Sequence, residues 1–369
     1  MNRPASNNMS EKFGSPLLAA IAVGVFGLVS VGCGPVGGDD PVPILGEAPP
    51  AEAIHFDEHF VAEDTIRLSS DVLLSSISLD MDEGGRMVVT DTWSQLVALY
   101  DEEGSYIRTL DPEPCDPQLA IDWMPRASIF LSDGRIFVNN NGPAHAVFDT
   151  TGECVETHML MHQDRRIASG PDGGYYMLRS VSAEREDENQ GLYFDHFDQR
   201  GTLLRSRLIA DTKPEMYARF TSGGMTSDTD GALFVTDFAD PYVDHFSAEG
   251  EHLARLGFVP SYFRRIDGDA RSMSDVQRLM NSGTAVMGLH LLDDAKLMIV
   301  YDNRHLIETN PEERIGIVVM DREGRSLLPG EMLSEFVPIR YASGGYIYFQ
   351  EGPEAEEDNP YLVRYRFVK

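Results

Sequence analysis

Short runs of β-branched and aromatic residues, each bounded by Asp or Gly turns, recur along most of this chain. Six of them follow a tight turn: Glu83–Thr90, Asp133–Val138, Asp172–Met177, Asp230–Val235, Asp294–Val300 and Ser343–Phe349. Apolar runs of this kind between turn residues are typical of buried strands. No sustained helical period accompanies them, so the pattern predicts an all-β protein.

A second turn returns about every fifty residues, which is the signature of a repeat architecture. Its copies are Asp101–Gly104, Asp149–Gly152, Asp198–Gly201, Ser247–Gly250 and Asp321–Gly324. Each unit therefore contains four antiparallel strands, a to d, with tight turns between a and b and between c and d. Units 3 and 4 share Asp195–Phe197 and Asp244–Phe246 at the same place in strand c. Six such units predict a six-bladed β-propeller.

The sixth unit predicts only three strands of its own, because strand c, Tyr361–Phe367, is followed by Lys369. An open sheet edge is a liability that native folds close. The segment Ala62–Leu68 precedes the first unit and has strand character. We therefore expect residues 54–369 to form the propeller, with this N-terminal strand completing the last blade.

The two ends of such a disc are predicted to differ. The a–b and c–d turns are short and lie on one face, which we call the short-turn face. The opposite, long-loop face carries the b–c and d–a connections, whose longest segments are Pro112–Pro125, Ser182–Asn189, Phe258–Val286, Asn303–Arg314 and Gly352–Pro360. Insertions in repeat proteins often mark the binding face. The segment 258–286 also predicts a short helix, capped by Ser272 or Ser274 and ending near Gly283.

The first 32 residues have the pattern of a targeting segment. Arg3 and Lys12 precede the apolar run Leu17–Val29, which is too short to span a bilayer. The run ends in Leu28–Cys33, which resembles a bacterial lipobox, with Ser30 where Leu is usual. Residues 1–32 are thus predicted to be a lipoprotein signal peptide and Cys33 the lipidated residue. An ordinary signal peptide cut nearby is the alternative.

Residues 33–53 are rich in Gly and Pro and predict a flexible tether. Gly34 follows the cysteine where an aspartate would retain a lipoprotein at the inner membrane. The expected location is therefore the bacterial cell envelope, lipid-anchored, at the outer membrane or facing the periplasm.

Three predicted b strands end in a shared motif: Val88–Asp91, Phe234–Asp237 and Ile299–Asp302. With the Asp-x-x-Gly hairpins, they resemble NHL-type repeats. The chain from residue 54 to 369 resembles the six-bladed β-propeller lipoproteins of bacteria. This resemblance implies the fold, and it says little about function because propellers host binding, scaffolding and unrelated chemistries.

The formal charge of −30 argues against nucleic acid as a partner and against broad adhesion to anionic lipid. Contact with a membrane is expected through the lipid anchor only, and the protein is expected to be a monomer.

Five residues of the long-loop face are candidates for ligand contact: Trp93, Asn140, Tyr262, Arg264 and Arg265. An aromatic ring, an amide and a guanidinium suit a peptide, glycan or anionic group. The alternatives are structural, since Asn is common in turns and loop arginines usually pair with carboxylates. Recurrence of Asp91, Asp237 and Asp302 favours a shared role in binding loop backbone amides.

No cofactor or metal is expected. Six-bladed lactonase-like enzymes hold a divalent cation with Glu, Asn and Asp near the channel mouth. The predicted starts of strand a do not offer that set; they are Ile77, Arg126, Arg166, Met225, Gly288 and Val337. Calcium binding on the acidic surface is kept as an alternative, although the sequence contains no Asp-x-Asp-x-Asp-Gly loop to support it. The sequence also lacks a Gly-x-Ser-x-Gly elbow and a phosphate loop.

Cys115 and Cys154 are the two cysteines besides Cys33, and an oxidising compartment favours their pairing. The predicted topology opposes it, because it puts the two residues at opposite ends of a strand, farther apart than a disulfide reaches. The sequence alone therefore does not decide whether Cys115 and Cys154 are paired.

These features together favour a surface-anchored binding or scaffold module that holds a protein, peptide or glycan on its long-loop face. The alternative is an extracytoplasmic hydrolase or lyase with an active site at the channel mouth.

Overall fold

The computed structural model describes residues 42–69, 74, 77–160, 166–181, 191–210, 223–266, 273–293, 295–334, 339–352 and 359–368. Cys33, residues 182–189 and Ser272 lie outside these ranges, and so does most of the segment 352–360.

The described residues form six sheets, which we number as blades 1 to 6, and the four main strands of each are antiparallel. Blades 1 to 3 contain β4 Ile77–Met81, β5 Met87–Asp91, β6 Leu96–Tyr100 and β7 Tyr106–Thr109; β8 Pro125–Phe130, β9 Ile136–Asn140, β10 Ala144–Phe148 and β11 Cys154–Met159; β12 Ile167–Ser169, β13 Tyr175–Val181, β14 Gly191–Phe197 and β15 Leu203–Ala210. Blades 4 to 6 contain β16 Gly224–Ser227, β17 Leu233–Thr236, β18 Val243–Phe246 and β19 His252–Leu256; β20 Thr284–Asp293, β21 Lys296–Asn303, β22 Ile315–Asp321 and β23 Glu331–Ser334; β24 Ile339–Ser343, β25 Tyr346–Glu351 and β26 Tyr361–Phe367.

The inner strands β4, β8, β12, β16, β20 and β24 contact one another in this order, and β24 returns to β4. A closed ring of six four-stranded blades is a six-bladed β-propeller, so the predicted fold class is confirmed. Adjacent blades bury apolar side chains against each other at each of the six seams. The predicted c–d turns also form, and their last glycines take left-handed φ angles of 73° to 85°. An L side chain resists this conformation, so the turn requires glycine.

The sixth blade is completed by an N-terminal strand, as the sequence predicts. Strand β3, Phe60–Arg67, pairs antiparallel with β26, and Phe60 lies opposite Phe367. Phe60 is buried. Because both chain ends contribute to this sheet, the ring is closed by contacts between strands rather than by a covalent link.

The segment before β3 also pairs with the blades, which differs from the expectation of a flexible tether up to residue 53. Strand β1, Ile44–Leu45, runs parallel to β19, and strand β2, Ala53–Ile54, runs parallel to β23. Between them the backbones approach closely, since a Cβ on Gly46 would lie 2.1 Å from the carbonyl oxygen of Gly257. Residues 42–54 therefore form a strap along the outer edges of blades 4 and 5.

The described residues contain three short α-helices: α1 Phe56–His59, α2 Pro117–Ile121 and α3 Met273–Met280. Helix α3 is the one predicted in the 258–286 insertion. Helix α2 was not predicted, although Asp116 caps it by accepting a hydrogen bond from the backbone N of Gln118 at 2.9 Å. None of the described helices is long and apolar enough to span a membrane.

Candidate ligand-binding face

The short-turn face is held by contacts from one blade to the next. Its arginines donate from Nη1 to the second residue of a c–d turn in the following blade: Arg86 to the Thr150 oxygen at 2.6 Å, Arg135 to the Gln199 oxygen at 3.3 Å and Arg205 to the Ala248 oxygen at 3.3 Å. Repetition at three consecutive seams indicates a structural role. These three arginines therefore join neighbouring blades.

The long-loop face presents Trp93 on a stiff turn between β5 and β6. Asp91 Oδ1 accepts hydrogen bonds from the backbone N of Trp93 at 2.9 Å and of Ser94 at 3.2 Å. The Ser94 hydroxyl donates to Asp91 Oδ2 at 2.9 Å. Asp91 is fully buried, whereas the Trp93 side chain is 84% exposed. The turn thus holds a large aromatic ring in solvent.

Asn140 does not reach the surface. The residue is buried, its Oδ1 accepts from the backbone N of Met124 at 2.6 Å, and its backbone N donates to His145 Nδ1 at 3.0 Å. Burial lowers the pKa of His145 to about 4, so the ring is neutral and can accept at neutral pH. Asn140 therefore anchors the loop before β8 and does not serve as a rim contact.

The Tyr262 ring is packed against other residues, whereas the neighbouring Arg264 and Arg265 are exposed. The Tyr262 ring lies over Gly316, where a Cβ would come within 2.5 Å of it, and it meets Tyr301 edge-on at 6.2 Å. Arg264 and Arg265 are exposed, and among the described residues neither forms an ion pair. The backbone of Arg264 is bonded in both directions to Thr284, the first residue of β20: its N donates to Thr284 Oγ1 at 3.1 Å, and its O accepts from the Thr284 N at 2.8 Å. Arg264 is thus fixed beside an inner strand.

The recurring aspartates act as acceptors for nearby groups. Asp302 is buried and accepts from Arg314 Nε at 2.8 Å and from Arg304 Nε at 3.1 Å. Asp237 accepts from backbone amides of its own loop, and burial, with Asp240 nearby, raises its pKa to about 6. Among the described residues, no group of His, Cys, Asp and Glu is arranged to hold a metal ion.

A disulfide joins Cys115 to Cys154, with their Cα atoms 5.6 Å apart. The topological expectation that separated them was wrong, because β7 is only four residues long. The c–d turn of blade 2 packs against its end, where Arg108 Nη1 donates to the Thr151 oxygen at 3.2 Å. The bond ties the α2 loop of the long-loop face to the outer strand of blade 2.

One exposed residue of this face escaped the sequence analysis. Ile121, the last residue of α2, is 77% exposed. The Asp-Pro pair at 116–117, a helix-start signal, could have revealed the helix that presents it.

Solved structures support the fold and leave the function open. The chain is similar to a protein of Bacteroides fragilis named as exported, with a TM-score of 0.57, 11% identity, and coverage of 89% of this chain and 100% of that one. It is also similar to a DUF4221 family member of Bacteroides vulgatus, with a TM-score of 0.58, 12% identity, and coverage of 84% and 98%. At this identity the likeness shows the propeller fold alone. No protein-family model and no curated protein matches the chain.

Proposed function

We propose that this protein is a lipid-anchored extracytoplasmic propeller that binds a protein, peptide or glycan partner through its long-loop face. The observation that carries the proposal is the contrast between the two faces. Arg86, Arg135 and Arg205 of the short-turn face bond to neighbouring blades, whereas Trp93 and Arg264 are exposed on hydrogen-bonded backbone at the other face, with Arg265 exposed beside them. Aromatic and arginine side chains are the residues that most often dominate binding interfaces.

Anchoring at Cys33 is supported by the lipobox-like sequence, and an extracytoplasmic location by the similar fold of a protein named as exported. Residues 34–41 separate this cysteine from the strap, and eight residues extend at most about 29 Å. A lipid on Cys33 would therefore hold the body close to the membrane. The test is detergent phase partitioning of the wild type and of Cys33→Ser. The wild type should enter the detergent phase and the variant the aqueous phase; an aqueous wild type would refute the anchor.

The binding role is tested by capture from native envelope extract. Trp93→Ala and the double variant Arg264→Ala/Arg265→Ala alter the long-loop face, and Arg325→Ala is the matched control on the short-turn face. The partner retained by the wild type should be lost from the first two and kept by the control. Equal capture by all variants would contradict the proposal.

Two buried carboxylates of this face, Asp91 and Asp302, give the hydrolase or lyase alternative no support. Asp302 is held by two arginines and Asp91 by its own turn, so each already serves as an acceptor.

A further inference from the structure

Arg340 lies in a β-bulge on the inner strand of blade 6. In the pairing of β24 with β25, Ile339 lies opposite Phe349 and Tyr341 opposite Tyr348, so Arg340 is the extra residue. A bulge redirects a side chain and interrupts the ladder, and such bulges occur often beside functional sites. Arg340 is the second residue of β24, at the end of the strand that faces the long loops.

Arg340 is half-buried, and the described residues provide no partner for its guanidinium. Its Nε is buried without a hydrogen bond, and among the described residues no carboxylate forms an ion pair with it. Burial lowers the pKa of Arg340, yet an arginine keeps its proton at neutral pH. A buried charge without a partner is destabilising, so such a residue is retained at a cost.

The equivalent position in blade 2 shows what an arginine there ordinarily does. Arg126 is also a bulge residue, between Pro125 and Ala127 of β8, and its Nε donates to Asn141 Oδ1 at 3.0 Å. An arginine therefore lies in such a bulge twice, once with an acceptor and once without one among the described residues.

Solvent reaches the inner strand of the neighbouring blade. Strand β20 of blade 5, which contacts β24, has its own bulge at Met287. Met287 is 41% exposed although it belongs to an inner strand. The inner strand beside β24 is therefore accessible to solvent.

We propose that the channel contains an anion-binding site at Arg340, which receives a carboxylate or phosphate group entering from the long-loop face. A guanidinium presents a planar fork of N–H donors that matches both groups. The anion would supply the counter-charge that the described residues do not provide. This inference rests on the proposed function in that it names the chemistry of the ligand. The inference can fail independently of the proposed function, because anion binding is measured without any protein, peptide or glycan partner.

The test is thermal unfolding and calorimetric titration of the full chain with sodium acetate and with inorganic phosphate, at constant ionic strength. The melting temperature of the wild type should rise with acetate, with phosphate or with both. The anion that raises it identifies the chemical group that binds at Arg340. Arg340→Met should melt higher than the wild type without the anion, because the unpaired charge is gone. Its apparent Kd should be about 10- to 100-fold weaker.

Arg325→Met is the control, since Arg325 pairs with Asp321 on the short-turn face and should leave the response intact. Should Arg340→Met fail to fold, Arg340→Lys keeps the charge without the fork and must still weaken the response. The proposal is overturned if the wild type responds to neither anion, or if the Arg340 variant responds as the wild type does.

Discussion

Phe60 and Phe367 lie opposite each other in the last blade, with their ring centroids 5.3 Å apart, although about 300 residues separate them in the sequence. Phe60 also stacks on Phe56 at 4.7 Å. The ring of blades is thus closed by an aromatic contact and a strand ladder. A propeller closed in this way depends on β3 and β26 together.

Phe60→Ala should destabilise the protein by about 3–5 kcal/mol, because it removes a fully buried ring from the closing seam. The free energy of unfolding from urea titration measures this loss. Val61→Ala is the matched control, since the Val61 side chain is 42% exposed, and it should cost less than about 0.5 kcal/mol. Equal effects of the two substitutions would mean that β3 does not close the ring.

Asp80 should make stability depend on pH. It is on the inner strand of blade 1, accepts from the backbone N of Phe130 at 2.6 Å, and has its pKa raised to about 7 by burial. The folded state therefore keeps a proton that the unfolded chain releases near pH 4, so stability falls as the pH rises from about 4 to 7.

Asp80→Asn keeps an acceptor for Phe130 and removes the charge. It should exceed the wild type in stability by about 1–4 kcal/mol at pH 8 and by close to nothing at pH 4. Denaturant titrations at the two pH values measure the gap. A gap of the same size at both would show that Asp80 is not the source.

The disulfide predicts a thiol count and a stability difference. A form with Cys33→Ser should show no free thiol after denaturation without reductant and two after reduction. The bond closes a loop with a sequence separation of 39, so its reduction should cost about 3–4 kcal/mol. Two thiols in the unreduced protein would disprove the pairing.

Asn140 and Trp93 should separate stability from binding. Asn140→Ala leaves the backbone N of Met124 without its acceptor and should cost about 1–3 kcal/mol while partner capture persists. Trp93→Ala should change stability by less than about 0.5 kcal/mol and abolish capture. Loss of capture with Asn140→Ala, or loss of stability with retained capture in Trp93→Ala, would contradict these roles.

The repeat made the fold predictable, because each Asp-x-x-Gly turn needs glycine at a left-handed position and each strand between turns is apolar. The closing strand followed from counting strands in the sixth unit. The strap did not, because its pairing depends on close contact among Gly46, Gly257 and Gly324, and no local pattern reveals that.

Only part of the candidate site could be predicted from the sequence, for the same reason. Trp93 and the Arg264–Arg265 pair are exposed as loop residues should be, but Asn140 is buried, and a turn-type residue does not reveal burial. Arg340 was missed because neither its bulge nor the absence of a partner among the described residues follows from the local sequence.

Photo-crosslinking in the native envelope tests the choice of face most directly. A benzophenone amino acid would replace Trp93 or Arg264 on the long-loop face, and Glu102 or Glu323 on the short-turn face. The account predicts a discrete crosslinked partner from the first two positions and none from the others. Adducts from the short-turn positions alone, or equally from both faces, would contradict it.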